Sequence, residues 1–272
     1  MNAAALCDFF SRPAAEIDAD PRADAAHQEL LVALEDGSVR SAVRRDDGTW
    51  EAQAWVKTAI LAGFRRTKVV PIEGFGAPAL DKAGYPPRRF GPDDGVRMVP
   101  GGSSVRRGAH VARGVVVMPP AFVNVGAFVG EGTMVDSHAL VGSCAQIGRR
   151  VHLSAGAQVG GVLEPVNARP VIVEDEVFVG ALCGLFEGVV VRERAVLASG
   201  VILTASTVVF DLVQEREWTR EIPAGAVVVP GVRPARGAFA VSRGIGLSAP
   251  CIVKYRDART DAATALESAL RG

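Results

Sequence analysis

Residues 105–159 read VRRGAHVARGVVVMPPAFVNVGAFVGEGTMVDSHALVGSCAQIGRRVHLSAGAQV. Every sixth residue of this stretch is aliphatic, and the period resumes from Val173 through Val209. A spacing of six matches neither a 3.6-residue helix nor a long alternating strand, but it is typical of short strands joined by tight corners. Three such strands complete one triangular coil, so the sequence predicts a parallel β-helix of stacked coils. The repeated positions are Val105, Val111, Val117, Val123, Val129, Val135, Val141, Ile147, Leu153 and Val159.

The residues beside the aliphatic positions support the same prediction. Glycine often follows the aliphatic residue directly, as at Gly130 and Gly142, where it would relieve the backbone at a corner. Fourteen residues separate Val159 from Val173, two more than two repeats. This break predicts a small loop around 163–165.

The composition excludes several classes of protein. The chain has 272 residues with 30 Lys+Arg and 30 Asp+Glu, so its formal net charge is zero, and 49% of its residues are apolar. A disordered chain or a general nucleic-acid binder would usually carry a large net charge. No apolar run reaches the roughly 20 residues of a membrane-spanning helix. Aromatic residues make up only 6%, which suits a core of small, similar layers.

Four widely spaced cysteines bear on localisation. Cys7, Cys144, Cys183 and Cys251 form no CxxC pair, which predicts buried thiols in a reducing compartment. Residues 1–15 lack a basic start followed by an apolar stretch, so we expect no secretory signal. Together these features predict a cytoplasmic protein.

Residues 1–104 are predicted to form an α-rich N-terminal domain. Apolar residues at helical spacing indicate helices over 25–34 and 55–66, and we interpret the second stripe as core packing. An Asp-Asp-Gly turn predicts a hairpin over 41–52. The Gly- and Pro-rich residues 71–100 are predicted to be loop.

The β-helix is predicted to occupy 105–232, followed by a C-terminal segment over 233–272. A polar insertion at 211–221 precedes a last coil turn that begins at Ile222. A terminal helix is expected over 261–270.

Basic residues are concentrated near the C-terminus although the total charge is zero. Between residues 233 and 259 there are six basic residues and one acidic residue, Asp257. Such a patch suits a phosphorylated ligand, and it is equally typical of a solvated surface. Only two aromatic residues, Phe239 and Tyr255, stand among the basic ones, which favours a small nucleotide-bearing ligand over nucleic acid.

Three histidines and one aspartate in the repeat could carry chemistry. Parallel β-helix enzymes can bind zinc with three histidines, but His110 and His152 are separated by two coils and six residues, so they should lie on different faces. We therefore expect no metal site within one subunit. A site with ligands from neighbouring subunits remains an open alternative. Asp136, next to His138, is by spacing alone an ordinary turn-capping residue.

Several longer motifs resemble bacterial tetrahydrodipicolinate N-succinyltransferases of the lysine and diaminopimelate route. These motifs are more specific than the six-residue repeat, which many acyltransferases share. They are WVKTAIL at 55–61, VRMVP at 96–100, EGTMVD at 131–136, VGSCAQIG at 141–148, VHLS at 151–154, GGVLEP at 160–165, IPAG at 222–225 and CIVK at 251–254.

The resemblance implies a helical N-terminal domain, a left-handed parallel β-helix and a short C-terminal segment, assembled as a homotrimer. It further implies active sites between adjacent subunits, with an acyl-CoA thioester as co-substrate running along the coils and no tightly bound cofactor. The implied reaction is attack of an amine on a thioester, with an amino-dicarboxylate as the acceptor. Whether the donor is succinyl-CoA or acetyl-CoA stays open.

The resemblance also assigns roles to individual residues. Arg97 would pair with an acceptor carboxylate through its planar fork, and Asp136 would bind the acceptor amine and take its proton. Gly161 would let the acceptor and the acyl group approach the backbone closely. Coenzyme A is expected to contact Ala198, Gly200, Thr204 and Arg233.

The sequence departs from the family pattern near the implied acceptor pocket. Where the family has Gly-Ala-Arg-(Ser or Cys)-Glu, residues 180–184 read GALCG, so Leu182 replaces an arginine and Gly184 an acidic residue. His138 replaces an aromatic residue, and it is a candidate general base because its pKa suits that role.

Three hypotheses remain open on the sequence. The first is the succinyltransferase itself. The second is a paralogue on the same scaffold that acylates a different amino acid in specialised metabolism. The third is a non-catalytic β-helix that serves as a binding or assembly module.

Overall fold

The computed structural model describes residues 1–72 and 79–257. Its centre is a parallel β-helix whose two-residue strands stack into three flat faces, which confirms the prediction from the six-residue period. The terminal helix predicted over 261–270 lies outside the described residues.

Each face is a ladder of parallel strands. The first face consists of Ser104–Val105, Phe122–Val123, Leu140–Val141, Gln158–Val159, Gly184–Leu185 and Ile202–Leu203. The second consists of His110–Val111, Phe128–Val129, Gln146–Ile147, Ile172–Val173, Val190–Val191 and Glu221–Ile222. The third consists of Arg97–Met98, Val116–Val117, Met134–Val135, His152–Leu153, Phe178–Val179, Val196–Leu197 and Ala226–Val229.

The second residue of most strands points inward and is almost completely buried. Val129 stacks on Ile147 in one face, and Val135 stacks on Leu153 in another, so identical positions of successive coils contact each other. Small residues such as Ala139 and Ala157 fill the corners inside. The core is therefore built from aliphatic layers with little room for rings, as the composition indicated.

The break in the period is larger than the sequence interpretation assumed. The strand ending at Val159 lies in the first face and the strand ending at Val173 in the second, so the two are consecutive. The connection takes fourteen residues instead of six, which leaves eight extra residues at one corner. The prediction of two extra residues was wrong because it assumed that an additional strand lay in the gap.

Val209 keeps the phase of the repeat but does not belong to a coil. It lies in Val208–Asp211, which forms an antiparallel hairpin with Arg216–Thr219. This hairpin is the predicted polar insertion, and the next coil strand is Glu221–Ile222, as expected. The Asp211 carboxylate fastens the hairpin by accepting hydrogen bonds from the Tyr255 hydroxyl at 2.5 Å and the Trp218 indole N–H at 3.2 Å.

The third face continues beyond the coils into the C-terminal segment. Cys251–Tyr255 pairs antiparallel with Ala226–Val229 and parallel with Val208–Asp211. In the sequence between Ala226–Val229 and Cys251–Tyr255, the strands Val232–Pro234 and Gly246–Ser248 form a short hairpin. The helix Ala238–Ser242 lies in the connection between these two strands.

The N-terminal domain contains four helices, which confirms its α-rich character. They are α1 (Ala3–Phe10), α2 (Ala14–Ala19), α3 (Ala23–Glu35) and α4 (Ala54–Arg66). The predicted hairpin over 41–52 is present as Ala42–Arg44 paired with Trp50–Ala52. The loop prediction for 71–100 was wrong in part, because Val69–Ile72 pairs with Ala79–Lys82 and Arg97–Met98 joins the third face.

The N-terminal domain covers the second face of the β-helix. The Arg40 Nε donates to the Gln146 side-chain oxygen at 2.9 Å, and the Trp50 indole N–H donates to the Glu174 carboxylate at 2.8 Å. The Glu35 carbonyl lies 2.9 Å from the His110 Nδ1. The first strand of the first face also contacts the N-terminal domain, because the Val105 carbonyl accepts the Arg88 N–H at 2.7 Å. On the later strands of this face several outward side chains stay partly exposed to solvent.

A buried histidine lies at the centre of the helical domain. His27 on α3 is 4% exposed, and its Nε2 lies 2.8 Å from the Tyr85 hydroxyl, which itself donates to the Ile60 carbonyl. Burial lowers the pKa of His27 from 6.5 to about 4. The folded chain therefore holds a neutral imidazole at pH values where the unfolded chain is protonated.

This difference predicts a loss of stability in mild acid. The free energy of unfolding should be largest above about pH 7 and should fall by about 3 kcal/mol as the pH drops from 6.5 to 4, because only the unfolded chain binds the proton there. Chemical unfolding at about pH 7.5, 5.5 and 4.5 measures this slope. His27→Gln should flatten it, and an equal slope in that variant would contradict the assignment.

Candidate active site

Two corners of the coils border the first face, and most of the predicted site residues lie on them. Strand pairing places equivalent residues of successive coils above one another, so the corners that follow the strands are aligned as well. The paired residues are Met134, His152, Phe178 and Val196 before one corner, and Leu140, Gln158, Gly184 and Ile202 before the next. We call the corner between the third and first faces the leading corner: residues 136–138, 154–156, 180–182 and 198–200. The corner between the first and second faces is the trailing corner: residues 142–144, 160–162, 186–188 and 204–206.

Asp136 begins the leading corner directly after a buried strand. Its side chain is half-buried, and its Oδ1 accepts the backbone N–H of Ser137 at 2.7 Å. Its own N–H donates to the Leu153 carbonyl at 2.9 Å, so the ladder between coils fixes its backbone. Over the described part of the chain, no basic side chain pairs with this carboxylate. The group is thus held in place by the backbone while it can still accept hydrogen bonds.

His138 stands two residues further along the same corner, and its side chain is exposed. Its backbone is left-handed, with φ +62°, and its N–H donates to the Pro120 carbonyl at 2.6 Å. The Gln158 side chain donates to the His138 carbonyl at 3.0 Å. The corner therefore fixes the backbone of His138 and directs its ring outward, beside Asp136.

Gly161 lies at the trailing corner, where two stretches of backbone meet. A Cβ on Gly161 would stand 2.2 Å from the Ser143 nitrogen, and a Cβ on Gly142 would stand 2.1 Å from the Gly161 nitrogen. No side chain fits at either position without moving the backbone. The contact between neighbouring coils therefore requires glycine at both positions, whereas the resemblance implied an approach of the acceptor and the acyl group to Gly161.

Arg97 is separate from both corners within one chain. It lies exposed on the first strand of the third face, in register with Val116, and Val116 is in register with Met134. Two strand spacings, about 10 Å, therefore separate Arg97 from the coil of Asp136. One chain does not bring Arg97 together with Asp136 and Gly161.

The predicted coenzyme A residues fall into two places. Ala198 and Gly200 lie at the leading corner and Thr204 at the trailing corner, so all three border the first face. Gly200 has φ +80°, and a Cβ there would contact nothing within 4 Å. Arg233 instead lies with Arg236 beside a cavity of about 670 Å³ near Val208–Asp211.

The basic C-terminal segment is divided in its contacts. The Arg256 guanidinium donates to the Glu176 carbonyl at 3.0 Å, and Lys254 pairs with Asp257 at 3.6 Å. These two residues therefore contribute to the structure. Arg233 and Arg236 line the cavity and are the members of the segment that could meet an anionic ligand.

The eight extra residues at the trailing corner help to form a cavity. It has a volume of about 930 Å³ and lies between the hairpin residues 50–52, the corner insertion and the trailing-corner residues Glu187 and Gly188. Nothing in the composition or the motifs of the sequence predicts this cavity. The interrupted period was the only signal, since it marked a loop beside Gly161.

The sequence did not predict the role of Lys57 either. This lysine lies on α4 directly after Val56 of the apolar stripe assigned to core packing. Its side chain is completely buried, and its Nζ donates to the Ala168 carbonyl of the corner insertion. Burial lowers the pKa of this ammonium group. Lys57 therefore ties the N-terminal domain to the insertion that follows Gly161.

The departures from the family pattern lie beside the first face. Leu182 is 71% exposed at the leading corner with φ +58°. Gly184 lies beneath the ring of Phe186, because a Cβ on Gly184 would stand 2.5 Å from the Phe186 Cε2. These positions carry hydrocarbon where the family has charged side chains.

His110 and His152 lie on different faces of the β-helix. His110 lies on the second face, stacked on Phe128, and His152 lies on the third face, stacked on Phe178. The prediction that these two lie on different faces is confirmed. Across residues 1–72 and 79–257, no three His, Cys, Asp or Glu side chains are arranged to hold a metal ion.

All four cysteines are free thiols, but only two of them are fully buried. Cys144 and Cys183 are buried, whereas Cys7 and Cys251 are partly exposed, so the expectation of four buried thiols was wrong for the latter two. Within the described ranges, no helix is both long enough and apolar enough to span a membrane.

Comparisons with known proteins identify two segments and many relatives. Residues 9–65 match the model described as tetrahydrodipicolinate N-succinyltransferase N-terminal, and residues 170–205 match the hexapeptide repeat of succinyl-transferase. A 2,3,4,5-tetrahydropyridine-2,6-dicarboxylate N-succinyltransferase from Nitrobacter winogradskyi is 46% identical over 91% of this chain and 89% of its own length. The proteins of the same name from Bradyrhizobium diazoefficiens and Rhodopseudomonas palustris are 46% and 44% identical, each over 90% of this chain and 89% of their own length.

A solved structure shares the fold. It comes from Campylobacter jejuni and is provisionally named a 2,3,4,5-tetrahydropyridine-2-carboxylate N-succinyltransferase; it superposes with a TM-score of 0.53 at 17% identity over 84% of this chain. The present chain spans 62% of that structure's length. With relatives at this identity over nine-tenths of its length, the chain belongs to the tetrahydrodipicolinate N-succinyltransferase family.

Proposed function

We propose that this chain transfers the succinyl group of succinyl-CoA to the amine of 2,3,4,5-tetrahydropyridine-2,6-dicarboxylate in its ring-opened form. The observation that carries the proposal is the first face itself. Beyond its first strand it keeps partly exposed outward side chains, and it is bordered by the Asp136 corner on one side and the Gly161 corner on the other. The names of the relatives agree with this reaction.

The chemistry needs an uncharged amine beside a thioester carbonyl. The amine nitrogen forms a bond to the carbonyl carbon and the carbon–sulfur bond breaks. The proton that the nitrogen loses passes through Asp136 to the departing sulfur, so coenzyme A leaves as the thiol. Asp136 accepts a hydrogen bond from the amine and takes the proton that the nitrogen loses, and Gly161 leaves room for both reactants against the backbone. Because carboxylates are weak bases near neutral pH, orientation of the amine is the larger contribution of Asp136.

The same proposal assigns a role to Arg97 and includes assembly of the chain as a homotrimer. Arg97 stands about two strand spacings from Asp136 within one chain, so we assign it to the acceptor carboxylate of a site shared with an adjacent subunit of a homotrimer. Coenzyme A would follow the first face past Ala198, Gly200 and Thr204, with Arg233 near its phosphates. The free thiols of Cys144 and Cys183 support a cytoplasmic setting.

The test is a direct assay of the purified protein. With succinyl-CoA and tetrahydrodipicolinate we expect free thiol to appear together with an N-succinylated product, at a rate that depends on both substrates. Thiol release no faster than without the acceptor would overturn the proposal.

A second candidate is a paralogue that acylates a different amino acid. The hydrocarbon at Leu182, Gly184 and Phe186 favours it, because these positions border the same face. A screen of four acyl-CoA thioesters against a panel of amino-dicarboxylates separates the two, since the paralogue should prefer another acceptor by at least tenfold in kcat/KM. Calorimetric titration with the same thioesters tests the hypothesis of a non-catalytic scaffold, because a scaffold should bind none of them.

A further inference from the structure

The Phe186 ring occupies the outside of the first face next to the trailing corner. A Cβ on Gly160 would stand 2.7 Å from the Phe186 Cδ1, and a Cβ on Gly184 would stand 2.5 Å from the Cε2. The ring therefore leans back over two neighbouring glycines and fills the space that their side chains would take. Neither glycine can carry a side chain unless Phe186 moves.

The register places Phe186 between the two predicted subsites. Gly160 and Gly161 precede it at the trailing corner by one coil, and Thr204 follows it by one coil. The Gly160 N–H donates to the Leu185 carbonyl at 2.8 Å, and the Phe186 N–H donates to the Leu203 carbonyl at 2.9 Å, so the three coils are in continuous contact. A thioester running from Thr204 towards Gly161 has to pass this ring.

The surroundings of the ring are apolar. The Ile202 Cδ1 reaches within 2.9 Å of the Cβ position of Gly184, and Leu182 at the leading corner covers Gly156. The nearest carboxylate along the chain, Glu187, accepts the Ala205 N–H at 3.1 Å on the other side of the corner. Ile202 and Leu182 therefore make this side of the surface hydrocarbon, while Gln158 is the polar side chain in register with Gly184 on the preceding coil.

We infer that Phe186 determines the length of the acyl group by closing the space over Gly160 and Gly184. The ring contacts the acyl methylenes next to the thioester carbonyl and leaves no room for a longer chain. This inference rests on the proposed acyl transfer, but it concerns a residue that the family motifs do not assign. Phe186 acts through contact with the donor substrate and takes no part in proton transfer.

The experiment compares succinyl-CoA with glutaryl-CoA, which is longer by one methylene. In Phe186→Ala we expect the ratio of kcat/KM for glutaryl-CoA to that for succinyl-CoA to rise about tenfold, because one methylene in an apolar pocket changes discrimination by about 10- to 200-fold. Phe186→Leu should give a smaller rise. The matched control is Phe178→Ala, which removes the same ring from the third face, where it stacks on His152, and should leave the ratio unchanged.

The outcomes separate the inference from the proposed function. An active Phe186→Ala enzyme with an unchanged ratio overturns the role of the ring and leaves the acyl transfer intact. If the unsubstituted protein releases thiol from neither thioester, the acyl transfer fails. In that case calorimetric titration with glutaryl-CoA tests the role of Phe186 separately. Tighter binding by Phe186→Ala than by the unsubstituted protein and by Phe178→Ala supports the role of the ring, and equal dissociation constants for the three proteins overturn it.

Discussion

Replacement of Asp136 by Asn lowers kcat/KM for acyl transfer by about 10²- to 10³-fold while the fold is retained. The side chains have the same shape, and the Ser137 N–H still finds an oxygen at 2.7 Å, so the corner should keep its geometry. The amide cannot take a proton from the acceptor amine, and it presents no negative charge to orient that amine. Loss of one positioned acid–base group typically costs this much.

The matched control for this variant is Asp175→Asn. Asp175 also lies at a corner of the coils, but it pairs with Arg149 on the far side of the β-helix. Its replacement should change kcat/KM by less than about twofold, because exposed ion pairs contribute little. Steady-state kinetics with thiol detection measures both variants, and a retained kcat/KM in Asp136→Asn would show that this carboxylate has no part in the reaction.

Gly161→Ala should produce the second large loss. The new methyl group would stand 2.2 Å from the Ser143 nitrogen and 2.8 Å from the Gly142 carbonyl carbon, and both are backbone atoms. The corner insertion must therefore shift, which costs about 1 to 3 kcal/mol in stability and moves the surface that borders the acyl group. Since misplacement of a reacting group by about 1 Å can cost 10²-fold, we expect kcat/KM to fall by about that factor.

Gly225→Ala separates the steric effect from a general glycine effect. Gly225 has φ +69° at a corner away from the first face, and a Cβ there would meet only Arg256 atoms at 3.8 Å or beyond. This variant should lose about 1 kcal/mol because of the left-handed backbone and should keep its kcat/KM. Chemical unfolding and kinetics on both variants make the comparison. Equal kcat/KM for Gly161→Ala and the unsubstituted enzyme would remove Gly161 from the site.

The sequence predicted the β-helix because the inward positions have a simple physical requirement. Each inward residue must fill one layer and contact its equivalents in the coils above and below, so aliphatic residues recur in a fixed phase, as at Val135 and Leu153. The same reasoning failed at Val209. Its side chain is buried like the others, but its backbone runs in an antiparallel hairpin, and a period in side chains does not report strand direction.

The candidate site was predictable only in part for a similar reason. Asp136 and Gly161 stand in motifs that resemble the family, and the structure places them at adjacent corners of one face. The position of the Phe186 ring depends on two neighbours that lack side chains. Gly184 is two residues away in the same coil, whereas Gly160 is one coil away in space and 26 residues away along the chain. The role of Lys57 likewise could not be predicted from the apolar stripe on α4, because its partner is a backbone carbonyl of the corner insertion.

The antiparallel strand Cys251–Tyr255 has a consequence for the behaviour of the protein at high concentration. A ladder of parallel strands that simply stopped would expose unpaired N–H and C=O groups, on which the ladder of another molecule could continue as a fibre. Here the last parallel strand of the third face, Ala226–Val229, pairs with Cys251–Tyr255. That strand pairs in turn with the hairpin of Val208–Asp211 and Arg216–Thr219, whose outer strand carries the charged residues Arg216 and Glu217. The chain thus ends its longest sheet in a short, charged edge that resists growth by addition of further copies.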